Sequence, residues 1–502
     1  MNVGGRRILS PLALATWLAL FLVMAAWALS MPVGSGPDES GHIMKAAATV
    51  RGQFTGTPTD TEGIRAFVLP ANVGALDRVV DCFAGKPNQT AACAPSLGDA
   101  GSDPATVLSG VAAYNPVYYA LVGWPSLLWS GTAMVLMMRL VNAVLVSLLW
   151  SIVFVTLPGR SLGSLFLLAA SATPLAVYLG GVVNPSGAEI AATAAAFALS
   201  VTVIRQRARG RLWLVLLIVV LALLVSLRSV SPVLALCAVG AAAAVCGARS
   251  FWSTLVRRRV LVGFLVLAAV GLFAVVWILA VSGPAGYIPS AGTERPGKLA
   301  AFFGTLEQFP DYFQQMIGVL GWFDTWLPDY VYLVWTAVVA GGILLSLALS
   351  SARAAAIILA VVALGILFPA VLQAATASEF GYIWQGRYSL PFLALALAVG
   401  AFAIRRQTAG VAVWRFAVGI FVLIALQIAG FVEALKRFAA GAGAPWEAMG
   451  SAYAWRPAVG VEATVILFVV GAILLVLLAV ARARQVVTSL VARRGYDPSL
   501  LG

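Results

Sequence analysis

The chain has 502 residues, 61% of them hydrophobic and 10% charged, a mean hydropathy of +0.97 and a net charge of +13. Long, nearly uncharged runs recur at the length that a bilayer core about 30 Å thick requires, which excludes a soluble globular domain and predicts an all-α polytopic membrane protein. The Lys and Arg residues sit in short clusters between apolar runs, without interleaved aromatics, so the charge reads as topology information and argues against a nucleic-acid partner.

The first apolar run, residues 9–31, follows Arg6 and Arg7. Its length of about 23 residues exceeds the roughly 7–15-residue core of a secretory signal, so it reads as an uncleaved transmembrane helix. Residues 32–130 form the least hydrophobic stretch and carry Asp38, Glu39, Asp60, Glu62, Asp77, Asp81, Asp99 and Asp103. Ser35 or Gly36 is positioned to cap a helix that begins at Pro37, with Asp38 and Glu39 in its first turn, where carboxylates suit the helix dipole. Capping explains both acids but not His42, the only histidine in the chain, which follows them by four and three residues and shares their helix face. Adjacent helix positions point about 100° apart. A single general base with a helper group therefore fits better than two carboxylates facing each other across a sugar at roughly 5 Å, and the implied chemistry is one in-line displacement with inversion. His42 has three readings: orienting Asp38, touching an acceptor, or capping a loop.

Cys82 and Cys93 close a short loop and are expected to pair as a disulfide in an oxidising extracytoplasmic space. Cys237 and Cys246 lie within one span and read as packing residues. Residues 114–130 hold two prolines and several Tyr and Trp residues. They read as an interfacial or re-entrant segment, because a crossing there would put the Arg205 to Arg211 cluster on the wrong side; an ordinary kinked span is the alternative.

Further spans are expected at 131–157, 162–181, 186–204, 211–227, 231–247, 260–281, 330–349, 353–374, 389–404, 411–431 and 459–481, about twelve in all with the first. The basic clusters at Arg6–Arg7, Arg205 to Arg211, Arg257–Arg259, Arg405–Arg406 and Arg482 to Arg494 then lie in the cytoplasm with both termini. The chain reads as a single membrane domain, 1–502. Its loops 32–130, 282–329 and 432–458 are outside, its spans fall in blocks 131–281 and 330–481, and its tail 482–502 is inside.

Arg228 and Arg387 stand on the outer side, against the positive-inside rule. An arginine can hold a phosphate by two parallel hydrogen bonds, and a charge at membrane depth costs about 2.5–3.5 kcal/mol, so it needs a partner. Both read as phosphate ligands; snorkelling to headgroups, or pairing with an acid such as Glu379, is the alternative. Trp322, Asp324, Trp326 and Tyr330 combine rings with an acid, a composition shared by a sugar-stacking platform and an interfacial aromatic belt. The chain has no Cys-x-x-Cys pair and no Gly-Lys-Ser/Thr phosphate loop, so an ATP-driven pump has no visible machinery.

A first transmembrane helix followed at once by an acidic pair in a large outer loop resembles the GT-C superfamily of multi-pass glycosyltransferases, which take sugars from polyprenyl-phosphate carriers. Five stretches, Pro37 to His42, Tyr114 to Tyr119, Gly181 to Gly187, Gly321 to Pro328 and Gln385 to Pro391, are similar to one bacterial family of predicted membrane proteins of unknown function found in cell-envelope loci. The resemblance implies a GT-C-like fold in the bacterial plasma membrane with Asp38 as catalytic carboxylate, Glu39 and His42 beside it, and Arg228 and Arg387 on the donor phosphate. Tyr114, Asn115, Tyr118, Asn184, Glu189, Trp322, Asp324, Gln385 and Tyr388 are then the substrate-binding candidates. One departure is Ser186, which stands where an acidic or polar residue is expected after Asn184-Pro185; Glu189 is either its substitute or a helix-start acid. The implied partners are a polyprenyl-phosphate-linked sugar and an envelope glycan, lipid-linked glycan or protein acceptor. No cofactor is required, and a divalent metal recruited by Asp38 and Glu39 stays open. The alternatives are a transporter or flippase for a lipid-linked saccharide, for which no convincing internal duplication is visible, and a non-catalytic envelope-assembly protein.

Overall fold

The computed structural model of the protein describes residues 10–61, 63–157, 161–206, 210–282, 295–404, 413–447 and 453–494. Arg6, Arg7, Glu62, Arg207, Arg209, Arg405, Arg406 and the tail beyond 494 lie outside the described residues.

Helix α1 (Pro11–Ser30) starts where Ser10 accepts a hydrogen bond from Ala13 N at 3.2 Å and Pro11 occupies a first-turn position that needs no donor. The polar loop that follows contains α2 (Glu39–Thr49), then β1 (Thr57–Pro58) and β2 (Arg65–Pro70), α3 (Ala71–Gly74) and α4 (Leu76–Phe83), β3 (Pro104–Ser109) and α5 (Pro116–Gly123). Its three strands form one antiparallel sheet in the order β1-β2-β3, with Arg65 opposite Ser109 and Pro70 opposite Pro104. The helix expected at Pro37 begins instead at Glu39. Asp38 is its N-cap residue, in the left-handed region at φ 57°, and makes no side-chain capping bond.

Next come α6 (Gly131–Thr156), α7 (Leu162–Ser171), α8 (Pro174–Tyr178), α9 (Pro185–Arg205), α10 (Arg211–Val225), α11 (Ser231–Cys246), α12 (Ala248–Leu255) and α13 (Arg258–Trp277). The amphipathic helices α14 (Lys298–Glu307) and α15 (Phe309–Gly318) lead into a two-stranded hairpin, β4 (Val319–Leu320) with β5 (Thr325–Trp326). The chain ends in α16 (Asp329–Leu349), α17 (Ala352–Phe380), α18 (Gly386–Ala403), α19 (Val413–Ala439) and α20 (Val461–Arg494).

Among the described residues nine helices are long and apolar enough to cross a membrane; two bent pairs and the shorter Arg211–Val225 account for the other expected spans. The protein is an all-α polytopic membrane protein. One bend, of 59°, separates Leu162–Ser171 from the segment beginning at Pro174, whose missing N–H and ring interrupt the helical ladder. Helix α19 runs eight residues past its expected end at 431, so the 432–458 loop is shorter than the hydropathy suggests. Segment 114–130 resolves into the eight-residue α5 and a 3-10 turn at Trp124–Leu127, too short at 1.5 Å per residue to cross a 30 Å core.

Helix α9 is the hub of the bundle. Nearly all its side chains are buried, and its run of Ala, Thr and Ser lets α6, α10, α11 and α18 approach closely. Helix α2 is enclosed in the same way against α5 and β3. Gly123 of α5 lies so near the Ala46 carbonyl of α2 that any Cβ would collide with it. The first residues of α2 and α9, the turn before α11 and the start of α18 meet at one end of the bundle.

Candidate functional site

At that end Asp38 is held by Arg387. Arg387 Nη2 donates to Asp38 Oδ2 and to the Tyr388 hydroxyl at 2.8 Å, and Nη1 donates to the Pro37 carbonyl at 3.5 Å. The Arg387 side chain is buried, whereas Asp38 is 44% exposed, so the carboxylate has one face open. Arg387 Nε is buried with no acceptor among the described residues, a donor that a bound anion would satisfy. Burial pushes the Asp38 carboxyl up, but Arg387 and the other nearby cations outweigh it and hold the group below the usual carboxylate range.

Arg228 approaches from the turn between α10 and α11. Its Nη1 donates to Ser186 Oγ at 3.2 Å and stands 3.9 Å from Glu189 Oε2. Its guanidinium lies 4.0 Å from the centroid of Tyr388 and 5.8 Å from that of Tyr114; Arg387 lies 5.0 Å from the same Tyr388 ring. The Tyr388 ring is thus shared by two cations, each of which also meets a carboxylate, Asp38 for Arg387 and Glu189 for Arg228. The departure at Ser186 acquires a role here, because its hydroxyl receives Arg228. Glu189 receives the Ser231 hydroxyl and pairs with Arg228 instead of facing open space.

The neighbouring acid behaves differently from Asp38. Glu39 is wholly buried and accepts four hydrogen bonds, from Arg139 Nε (2.7 Å) and Nη2 (2.6 Å), Val183 N (3.0 Å) and Gly36 N (3.1 Å). Arg139 also donates to the carbonyls of Ala28, Met31 and Pro32. With its lone pairs used, Glu39 has no capacity left for a substrate or a metal; it is a structural pin. Arg139 escaped the sequence reading, although a lone arginine in the 131–157 run was a usable signal that a buried partner must exist.

His42 is buried, with Nδ1 2.8 Å from the Tyr119 hydroxyl and its ring stacked on Tyr119 at 23°. Burial pushes it down to about 3, against the upward pull of Asp38, so the ring is neutral at pH 7. Tyr118 is fully buried and donates to Asn142 Oδ1 at 3.0 Å; Asn142 in turn donates to the carbonyls of Leu179, Gly180 and Val182. Asn184 caps α9 through Ser186 N and donates to the Pro37 carbonyl at 2.8 Å, fixing the backbone before Asp38. Asn115 caps α5 by accepting from Val117 N, and its buried amide nitrogen has no partner among the described residues.

Asp324, expected beside the aromatics as a substrate group, is buried under Arg437. It accepts from Arg437 Nη2 at 2.6 Å, Gly85 N at 3.2 Å, Trp322 N at 3.3 Å and the Thr325 hydroxyl at 3.1 Å. Arg437 also grips the carbonyls of Phe83, Lys86 and Gln89 in the loop closed by the Cys82–Cys93 disulfide, whose Cα atoms are 5.7 Å apart.

A cleft of about 490 Å³ opens over these groups, lined among others by Asp38, Tyr114, Gln385 and Tyr388 on one side and Asp77, Ser109 and Trp322 on the other. Of the residues expected at the site, Glu39, His42, Asn115, Tyr118, Asn184, Glu189, Arg228, Asp324 and Arg387 do not line it. A second cavity of about 550 Å³ lies among α1, α7, α19 and α20, but its lining is almost entirely apolar and it offers no comparable chemistry. Among the described residues no three His, Cys, Asp or Glu side chains gather as a metal site.

The fold and the cleft together define a polytopic helical membrane protein with a polar pocket, backed by an Asp38–Arg387 pair, at one end of its bundle. The chain belongs to the family described as Predicted membrane protein (DUF2142), whose family model matches residues 21–396. That span takes in the Asp38, Arg228 and Arg387 cluster and ends within α18. Comparison with curated proteins and with solved structures finds no match to either.

Proposed function

We propose that the protein is a membrane glycosyltransferase that moves a sugar from a polyprenyl-phosphate donor to a cell-envelope acceptor on the extracytoplasmic face, with inversion. The observation that carries this reading is the half-exposed Asp38 carboxylate, which lines one cleft with Tyr388 while Arg387 and Arg228 pack against that tyrosine behind them. Membrane sidedness supports it. Arg205 ends α9 and Arg211 begins α10, whereas the opposite ends of these two helices lead toward Asn184 and Arg228, an arrangement that favours an extracytoplasmic cleft under the positive-inside rule.

In this reading the donor phosphate binds Arg228 and Arg387 through charge-assisted hydrogen bonds. It thereby competes with Asp38 for Arg387. Burial alone raises the Asp38 carboxyl, so a carboxylate released from its cation becomes the stronger base. Asp38 takes the proton of an acceptor hydroxyl as that oxygen forms its bond to the anomeric carbon. The bond from that carbon to the phosphate oxygen breaks, and polyprenyl phosphate leaves with its added charge held by the two guanidinia. The neutral His42 positions Tyr119 and the α2 face and does not protonate the leaving group.

The test is reconstitution in lipid with labelled polyprenyl-phosphate sugars and envelope-glycan acceptors, comparing wild type with Asp38→Asn and Arg387→Ala at matched folded yield. Asp38→Asn is expected to lower transfer by about 10²-fold or more, the scale of general base catalysis. Arg387→Ala is expected to weaken donor use far more than folded yield. Equal transfer by wild type and Asp38→Asn sinks the catalytic role of Asp38. No transfer from any donor by wild type favours transport or flipping of a lipid-linked saccharide.

A further inference from the structure

The cleft presents two carboxylates, Asp38, which Arg387 holds from behind, and at the exposed edge Asp77 from the first turn of α4. Asp77 has no ion-pair partner among the described residues, in contrast with Asp38, Glu39, Glu189 and Asp324, each of which is paired with an arginine. Asp324, the acid that sequence places next to Trp322, is consumed by Arg437 and cannot meet a substrate. Trp322 does line the cleft. Its indole N–H is committed to the Gly34 carbonyl at 2.9 Å, so the surface it offers a ligand is its apolar ring.

We propose that Asp77 and Trp322 form the acceptor subsite, and that the acceptor they select is an uncharged, hydroxyl-rich glycan. This inference rests on the transferase reading of the same cleft. The Asp77 carboxylate, engaged by the Ser40 side chain but by no cation among the described residues, keeps lone pairs for sugar hydroxyls, while a tryptophan ring stacks on the apolar face of the same sugar. The same carboxylate repels a uronate or phosphorylated acceptor, because a like charge facing it loses its hydration without gaining a partner. Selection by charge thus happens at the edge of the cleft, where Asp77 favours a neutral polyol over an anion.

The test uses the full-length protein in lipid nanodiscs with two probes of equal length, a neutral hexose trisaccharide and the corresponding trisaccharide with one glucuronate. Binding is read by saturation-transfer NMR and transfer by labelled polyprenyl-phosphate hexose. The neutral probe is expected to bind wild type about tenfold better than the uronate, the scale of one charge-assisted contact. Asp77→Asn and Trp322→Ala are expected to raise the acceptor KM about tenfold with the donor KM unchanged, while Asp77→Lys reverses the preference toward the uronate. Asp77 is exposed, so its variants fold, and Trp322→Phe, which keeps a ring, is expected to retain binding. Equal affinity for both probes, or an Asp77 variant that alters donor KM alone, overturns the inference. Trisaccharide binding without transfer from any donor would defeat the transferase reading while leaving the subsite intact.

Discussion

Glu39 and Arg139 are both fully buried, and each of the carboxylate's oxygens already accepts two hydrogen bonds. Replacing Glu39 by Gln keeps the shape but leaves the guanidinium without a counter-charge, and breaking such a buried pair costs about 3–5 kcal/mol. Glu39→Gln is therefore expected to lose folded, monodisperse protein, whereas Asp38→Asn, at the open edge of the pocket, is expected to lose activity first. Thermal unfolding of the two purified variants checks the order. His42 makes a separate prediction. Its pKa falls from 6.5 to about 3 on folding, because burial disfavours the charged ring. The unfolded chain then binds more protons than the folded one between those values, so the contribution is fully present above 6.5 and is lost as pH falls toward 3. Melting temperatures between pH 7 and 4 should decline more steeply for wild type than for His42→Gln.

At the scale of elements, the loop after α4 is fastened twice, by the Cys82–Cys93 disulfide and by Arg437 reaching from α19 to the carbonyls of Phe83, Lys86 and Gln89. Opening the disulfide frees a short loop, for which constraint of the unfolded chain is worth about 2–4 kcal/mol. The Cys82→Ser/Cys93→Ser variant is expected to unfold at lower temperature and to expose the loop to proteolysis, with the α9 and α18 core unaffected. Protection of that loop equal to wild type would show that Arg437 alone suffices. The disulfide was legible from the sequence because its partners are only eleven residues apart. Arg437 was not, since a basic residue near a helix end looks solvated until the carbonyls it serves are known. The short α5 was legible through Pro116, Pro125 and its Tyr and Trp content, all local signals.

For the whole molecule, the contest between donor phosphate and Asp38 for Arg387 predicts an ordered mechanism, donor before acceptor. Sugar-free polyprenyl phosphate should compete with the donor and, at low concentration, strengthen acceptor binding; random-order kinetics would remove the idea that the donor releases the base. The apolar spans were written in the sequence, because crossing a bilayer is decided by composition over about twenty consecutive residues, and a window of that length is local. So was the neighbourhood of Asp38, through the unusual gathering of acids and the sole histidine after the first helix. The division of labour between Asp38 and Glu39 was not. It depends on which arginine each one meets, Arg139 a hundred positions away and Arg387 nearly three hundred and fifty, and nothing in the local pattern distinguishes them. Sequence by itself determined that this chain spans a membrane and where its polar chemistry gathers. Tertiary structure alone decided which acid is locked inside, which faces the cleft and which, Asp77, meets no cation among the described residues, because charges buried in a low-dielectric bundle are assigned their roles by the partners that packing brings within hydrogen-bond reach.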